Sequence, residues 1–233
     1  MASILLTGAS RGIGAAARTL LEQSGHTVIG QSTAGDDGLI AADFAQPRAA
    51  DALWATALEQ AGGRIDVLVN NAGVFEAAPI ADADGFAATC ARSHAINLQS
   101  AADLCRHAVL HFQEHGGGRI INVASRAGHR GDSPQHWHYA AAKGGMLAMT
   151  KSIARGYAAQ NILAFAITPG FTMTGMAEEY LASRGGDKLL ADIPLGRVAM
   201  PEEVAEMIRW LASDAPASMT GATLDINGAS YVR

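Results

Sequence analysis

Cysteine is scarce: Cys90 and Cys105 are the only two among 233 residues. That excludes a disulfide scaffold and makes a reducing cytoplasm the expected setting. Aromatic residues are 6% of the chain and charged residues 17%, with 17 Lys+Arg against 22 Asp+Glu and a formal net charge of −5. A mildly acidic chain without a basic run argues against nucleic acid or an anionic membrane as the main partner. No apolar stretch approaches the ~18 residues that span a bilayer. The opening MASILLTGAS has neither the charged region nor the long apolar core expected of a secretory signal. What is abundant is small and apolar: 49% of residues are hydrophobic and 26 are glycine. This length and composition suit one large domain of the layered α/β kind, spanning 1–233.

Short apolar runs alternate with segments of helical period. Ser3 to Thr7, Thr27 to Gly30, Leu39 to Ala42, Ile65 to Val69, Arg119 to Val123, Ile162 to Ile167 and Thr223 to Ile226 read as strands. Helical patterns cover Gly12 to Gln23 and roughly 48–60, 82–114, 138–159 and 201–212. Strands apolar on both faces and separated by helices predict a single doubly wound, Rossmann-type domain. Its seven-stranded, mostly parallel sheet carries helices on both faces. One connection is too short: eight residues, Gln31 to Gly38, join the second and third strands, where a crossover normally needs a dozen or more. Either a loop replaces the helix there or the third strand lies elsewhere.

Directly after the first strand comes Thr7-Gly8-Ala9-Ser10-Arg11-Gly12-Ile13-Gly14. Glycines at 8, 12 and 14 let the backbone turn tightly beside a pyrophosphate, and the next helix offers its N-terminal amides to the phosphates. In this position the motif points to a dinucleotide. About 20 residues on, an acid would hold the ribose hydroxyls of NAD. The chain has Gln31-Ser32-Thr33 there instead. Arg11 can pair with a 2′-phosphate, aided by the hydroxyls of Ser32 and Thr33, so NADP(H) is preferred without excluding NAD(H). Asp36 and Asp37 stand against this if the short loop folds back.

Tyr139 and Lys143 are four residues apart in a helical pattern and therefore share a face. A free phenol is a poor base at neutral pH, and a neighbouring cation favours its phenolate. Such a pair can exchange a proton with a substrate oxygen while hydride moves to or from a nicotinamide. Ser125, at the end of the fifth strand, can hydrogen-bond the same oxygen, and strand C-termini border the ligand crevice of such a sheet.

Over essentially its whole length the chain resembles the short-chain dehydrogenase/reductase family. The resemblance is carried by TGASRGIG at 7–14, Asn70-Asn71-Ala72-Gly73, Asn97 in INL, Ser125, Tyr139 with Lys143, and Pro169-Gly170 followed by Thr172 or Thr174. It implies an Asn97-Ser125-Tyr139-Lys143 tetrad. Tyr139 would be the general acid/base, Lys143 would lower its pKa and bind the nicotinamide ribose, Ser125 would orient the substrate oxygen, and Asn97 would link Lys143 to solvent through water. It also implies that Asp43 lies near the adenine, that Asn71, Ala72 and Gly73 line the cofactor, and that Pro169, Gly170 and Thr172 form the nicotinamide-side loop. In the family, the long helices near 100–114 and 138–159 make subunit contacts, which implies a homotetramer.

Within the family the chain is most similar to 3-oxoacyl-acyl-carrier-protein reductases. Those present basic residues before the fifth strand and late in the catalytic helix, to dock an acidic partner. Here these places read Gly116-Gly117-Gly118 and Ala158-Ala159-Gln160-Asn161. The steering charges are missing, which favours a small free ketone or secondary alcohol as substrate. Carrier-protein or acyl-CoA reduction remains the alternative, and a non-catalytic dinucleotide sensor is the alternative of another class. Residues 126–138 flank the catalytic groups and supply pocket candidates: Arg126 and His136 for a carboxylate or hydroxylated substrate, and Trp137 for stacking. Residues 171–192 read as a variable lid, with Met173, Met176, Tyr180 and Leu181 as an adaptable apolar cover. His107, His111 and His115 recur at four-residue spacing, but without further converging ligands they read as a polar helix face or subunit contact, and no metal is expected.

Overall fold

The computed structural model describes residues 1–174 and 186–232. Strands form where short β-branched and aliphatic runs find neighbours on both sides. All eight residues of β6 (Ile162–Pro169) and all four of β4 (Val67–Asn70) are buried. With β1 (Ser3–Leu6), β2 (Thr27–Ser32), β3 (Ile40–Ala41), β5 (Gly118–Val123) and β7 (Thr223–Ile226) they make one seven-stranded sheet in the order β3-β2-β1-β4-β5-β6-β7. Every pairing is parallel, so the sheet is more uniform than the mostly parallel one expected. The chain builds outward from β1 to β3, returns to place β4 on the other side of β1, and continues to β7. The reversal opens a crevice at the C-terminal ends of β1 and β4.

Successive strand residues point to opposite faces, which divides the core in two. Leu5, Leu68 and Ile120 pack with Leu53 and Trp54 of α2 (Ala49–Gln60) and with Leu104 and Phe112 of α4 (Ser100–Glu114). Ile4, Leu6, Val69, Ile121 and Phe165 face the other way. They meet Leu21 of α1 (Gly12–Gln23) and Val204, Ile208 and Leu211 of α8 (Pro201–Ser213). Among the described residues no helix is long and apolar enough to cross a membrane.

The short β2–β3 connection is a loop, with left-handed backbone at Gly35, Asp37 and Gly38, and it still delivers a parallel, two-residue β3. The helical pattern over 82–114 is not one helix. After α3 (Ala83–His94) the backbone widens by one residue per turn across Ala95–Gln99 before α4 begins. Two short helices carried too little periodicity to be read: α5 (Ala127–Arg130) and α7 (Gly186–Ala191). The remaining helix, α6 (Trp137–Tyr157), lies close to its expected bounds.

A buried polar chain ties the strands to α6. Asn70 Nδ2 donates to Asn122 Oδ1 (2.8 Å), Asn122 Nδ2 to Thr150 Oγ1 (2.8 Å), and Thr150 Oγ1 to Met146 O (2.8 Å). Cys105 lies against the same amides, and burial pushes its thiol up to about 12, so it behaves as a small core residue. Because Asn122 is the central link, Asn122→Ala leaves two buried polar groups short of a partner. We expect it to lower the unfolding free energy by about 1–3 kcal/mol, measured by urea denaturation. An unchanged midpoint would show that the chain contributes nothing.

Candidate active site

The glycine turn is held from below by Thr7 and Asn71. The Thr7 hydroxyl accepts the N–H groups of Asn71 and Ala72, each at 3.0 Å. Asn71 Nδ2 in turn donates to Thr7 O (3.0 Å) and Gly8 O (3.2 Å). Gly8 has a φ of +66°, and a Cβ there would lie 2.9 Å from Ala72 Cα. At Gly14 a Cβ would fall 1.9 Å from Gly8 O, so only glycine lets α1 start this close to the turn. No side chain caps α1, and its first turn carries no acid. Its first amides therefore keep their donors and the positive end of the helix dipole for an anion. These features fit the pyrophosphate of a dinucleotide.

Gln31 was legible only as the place where an acid is missing. In the structure it is a buried strut: Oε1 accepts the Gly8 N–H (2.9 Å) and Nε2 donates to Ala42 O (2.7 Å). Ser32 is buried and accepts the Gly35 N–H at 2.9 Å, while Ser10, Arg11 and Thr33 are exposed along the rim. Arg11 forms no ion pair among the described residues. Asp43 turns its carboxylate to the Ala45 N–H (3.0 Å). Across the crevice, a Cβ on Gly12 would meet Thr174 Cγ2 at 2.9 Å, which sets the segment after Pro169-Gly170 over the turn. Thr172 is buried there and donates to Gly170 O (3.3 Å).

The catalytic candidates converge where β5 ends. Lys143 is almost fully buried, and its ammonium donates to Val123 O at 2.8 Å. A Cβ on Gly73 would lie 2.9 Å from Asn97 Oδ1 and 3.6 Å from Lys143 Nζ, so these three residues meet at one point. Asn97 sits in the widened turn between α3 and α4. It bonds Val74 through both backbone groups, N–H to Oδ1 (2.9 Å) and Nδ2 to O (3.0 Å), and Nδ2 also donates to Ser93 Oγ (2.9 Å). A wide turn of this kind reorients one side chain without ending the helix. The short α5 follows Ser125, whose hydroxyl accepts the Ala127 N–H (3.1 Å), and it packs backbone to backbone on α6. A Cβ on Gly128 would be 2.8 Å from Lys143 C.

Electrostatics here departs from the simplest expectation. Burial pushes Tyr139 up to about 12, against a smaller downward pull from the Ser125 side chain, with the Asp132 carboxylate adding to the rise. Burial also brings Lys143 down to about 8. The ammonium lies 5.9 Å from the Tyr139 ring centroid and is committed to Val123 O, so in this structure burial outweighs the lowering of the phenol that the resemblance implies. At neutral pH Tyr139 is an acid with its proton on.

Phe75 was missed by sequence reasoning. It meets Tyr139 edge-on (4.9 Å) and stacks on His136 (3.9 Å), whose Nδ1 pairs with Ser133 Oγ (2.7 Å). The signal available was its position two residues after Gly73. Trp137 is half exposed against Phe86 (5.7 Å). Arg126 is buried beside Phe171 and Asp192. Met173 packs on Ile193 and Val198, whereas Met176, Tyr180 and Leu181 lie outside the described residues. The three helix histidines serve packing and local bonds: His107 pairs with Asp51 (2.7 Å), His111 accepts the Ile65 N–H (3.2 Å), and His115 stacks on His111 (4.0 Å). Among the described residues no group of three or more His, Cys, Asp or Glu is placed to hold a metal ion.

A family model described as enoyl-(acyl carrier protein) reductase matches residues 8–229. The 3-oxoacyl-acyl-carrier-protein reductase of Vibrio cholerae is 34% identical over 98% of this chain and 96% of its own length. The cis-4-hydroxycyclohexanecarboxylate dehydrogenase of Sinomonas cyclohexanicum is 37% identical over 96% and 94%. The acetoacetyl-CoA reductase of Shinella zoogloeoides is 33% identical over 97% of each chain. With a fold and a match that both run nearly end to end, the chain belongs to the short-chain dehydrogenase/reductase family, whose members are oxidoreductases acting on CH–OH and C=O groups.

Proposed function

We propose that the protein is an NADP(H)-dependent oxidoreductase that interconverts a ketone and a secondary alcohol on a small free substrate. The observation that carries this reading is the meeting of Ser125, Tyr139 and Lys143 at the end of β5, on the crevice edge that also bears the glycine turn. The dinucleotide, when bound, supplies or takes the hydride. Gly8, Gly12, Ile13 and Gly14 would face its pyrophosphate, with Ser10, Arg11, Ser32 and Thr33 at the 2′-phosphate and Asp43 toward the adenine. Asn71, Ala72, Gly73, Pro169, Gly170 and Thr172 would line the remainder.

The chain's own residues then handle the proton. In the reducing direction the Tyr139 hydroxyl donates to the substrate oxygen, and its high pKa keeps that proton available at neutral pH. The Ser125 hydroxyl holds the same oxygen. The Lys143 ammonium stabilises the phenolate left behind, and Asn97 would hold the water through which the replacement proton reaches Lys143 from solvent. Oxidation runs the same steps backward.

Reduction of a 3-oxoacyl thioester is the second reading, favoured by the names of the Vibrio cholerae and Shinella zoogloeoides relatives. Against a carrier protein stand the two loops where docking charge is expected. They lie together, Gly118 N donating to Asn161 O at 3.1 Å, and carry no Lys or Arg. Arg119, which follows Gly118 in sequence, is committed to Leu211 O (2.8 Å) and Ala215 O (3.0 Å). The apolar groove between α4 and α6, with Leu110, Met149, Ile153 and Tyr157, suits the subunit contact of a tetramer.

Tyr139→Phe should lower kcat by about 10²–10⁴-fold while NADPH still binds, followed by NADPH absorbance and by fluorescence titration. Near-wild-type turnover would sink the mechanism. Lys143→Met should also lose activity, yet melt no lower than wild type at neutral pH. Lys143 has a depressed pKa, so its protonation penalises the folded state fully below about 8, and the penalty shrinks as pH rises toward the ordinary lysine value. The stability difference between the two proteins should narrow over that alkaline range, and a constant difference would contradict the assignment. Arg11→Ala should raise the KM for NADPH about tenfold or more and leave that for NADH little changed. A large native preference for NADH would refute the phosphate site.

A further inference from the structure

Arg126 follows Ser125 directly, and its backbone N–H donates to Pro169 O (3.0 Å). It is therefore pinned between the catalytic strand end and the loop expected on the nicotinamide side. Its side chain is 10% exposed. A guanidinium has five N–H donors and is costly to bury without partners. Among the described residues its guanidinium nevertheless makes one hydrogen bond, a long one of 3.4 Å to Asp192 Oδ2, and otherwise lies 5.6 Å from the centroid of the Phe171 ring. The same Asp192 oxygen is better engaged by Arg130 Nη2 at 2.9 Å, while Arg130 Nη1 donates to Ser230 O (2.7 Å). One carboxylate is thus shared by two arginines, and Arg126 holds the weaker share. Among the described residues Asp132 is the other acid within electrostatic reach. It is exposed, takes the Ser133 N–H on Oδ1, and has the smallest influence on Arg126.

We propose that Arg126 is the receptor for a carboxylate on the substrate, which makes the substrate class a short oxo acid and its hydroxy acid. The proposal rests on the ketone–alcohol reading above. A planar carboxylate satisfies the open donors of a guanidinium in pairs, which a neutral ketone cannot do. Ser125 and Arg126 are consecutive, their Cα atoms about 3.8 Å apart, so a carbonyl oxygen on the one and a carboxylate on the other belong to neighbouring parts of one small molecule, as in a short chain. Asp192 serves as the counterion that keeps Arg126 folded inward and that the substrate carboxylate outcompetes.

The competing account is a latch, in which both arginines merely fasten Asp192, and charge removal at each partner separates the two. The wild-type enzyme would be assayed with NADPH against 2-, 3- and 4-oxo acids and against methyl ketones of matching length, alongside Arg126→Gln, Arg126→Lys and Asp192→Asn, with circular dichroism confirming the fold. A receptor predicts that wild type prefers one oxo acid over its neutral counterpart by at least tenfold in kcat/KM. Arg126→Gln should cut that preference tenfold or more, mainly through KM, with partial recovery in Arg126→Lys. Asp192→Asn should increase it, because both cations are released. A latch predicts that Arg126→Gln and Asp192→Asn change activity in the same direction for acids and ketones alike, and that result overturns the proposal. Reduction of neutral ketones with no preference for acids overturns it too, but leaves the ketone–alcohol reading standing. Absence of any ketone reduction or alcohol oxidation removes that reading and the proposal with it.

Discussion

The hydrogen bond from the buried Lys143 ammonium to Val123 O is the contact on which the rest of the site depends. It joins α6 to the end of β5 at the point where the chain leaves the sheet toward Ser125. The approach is possible because Gly128 and Gly144 let α5 and α6 touch through their backbones. The Asn70–Asn122–Thr150 chain fixes the same helix two turns further on. Tyr139, one turn before Lys143, then has little freedom in where its hydroxyl can point. The sheet reversal beside β1 brings the glycine turn to the same edge. The proposed catalytic pair, the Ser125 hydroxyl and the helix end proposed to take the pyrophosphate thus meet through one topology and one buried cation.

Burial explains the electrostatic character of this arrangement better than pairing does. A charge deep in a protein is disfavoured unless compensated. Here the enclosure that weakens the lysine's hold on its proton strengthens the tyrosine's. The acid is thereby moved upward on the pH scale and the base downward. In the proposed mechanism this suits proton donation to a carbonyl more than proton abstraction from an alcohol, and it assigns to Lys143 the task of holding the phenolate once formed.

Much of this was legible in the residues because it is written locally. Strand ends, the glycine spacing at 8, 12 and 14, and the four-residue step from Tyr139 to Lys143 depend on neighbours in sequence, and α1 occupies the very residues expected. The parts that were not legible depend on distant partners. The widened turn at Asn97 exists because Val74 offers both a donor and an acceptor to its side chain. Gln31 becomes a strut because Gly8 and Ala42 flank it. Phe75 acquires significance only when Tyr139 and His136 arrive against it from α6 and its leading loop. Even so, the short β2–β3 loop shows that an oddity in sequence can be real structure.

The central claim is that enclosure keeps the Tyr139 phenol protonated, held in place by a lysine turned toward Val123 O. The most direct test is ¹³C NMR of protein labelled at tyrosine Cζ, titrated without added nucleotide. The chain has four tyrosines, so Tyr139→Phe identifies the resonance. The Tyr139 signal should stay at the position of a neutral phenol through about pH 10, the ordinary tyrosine pKa, where an unenclosed phenol is already half ionised. A signal that moves to the phenolate position at or below the ordinary tyrosine pKa would contradict the claim.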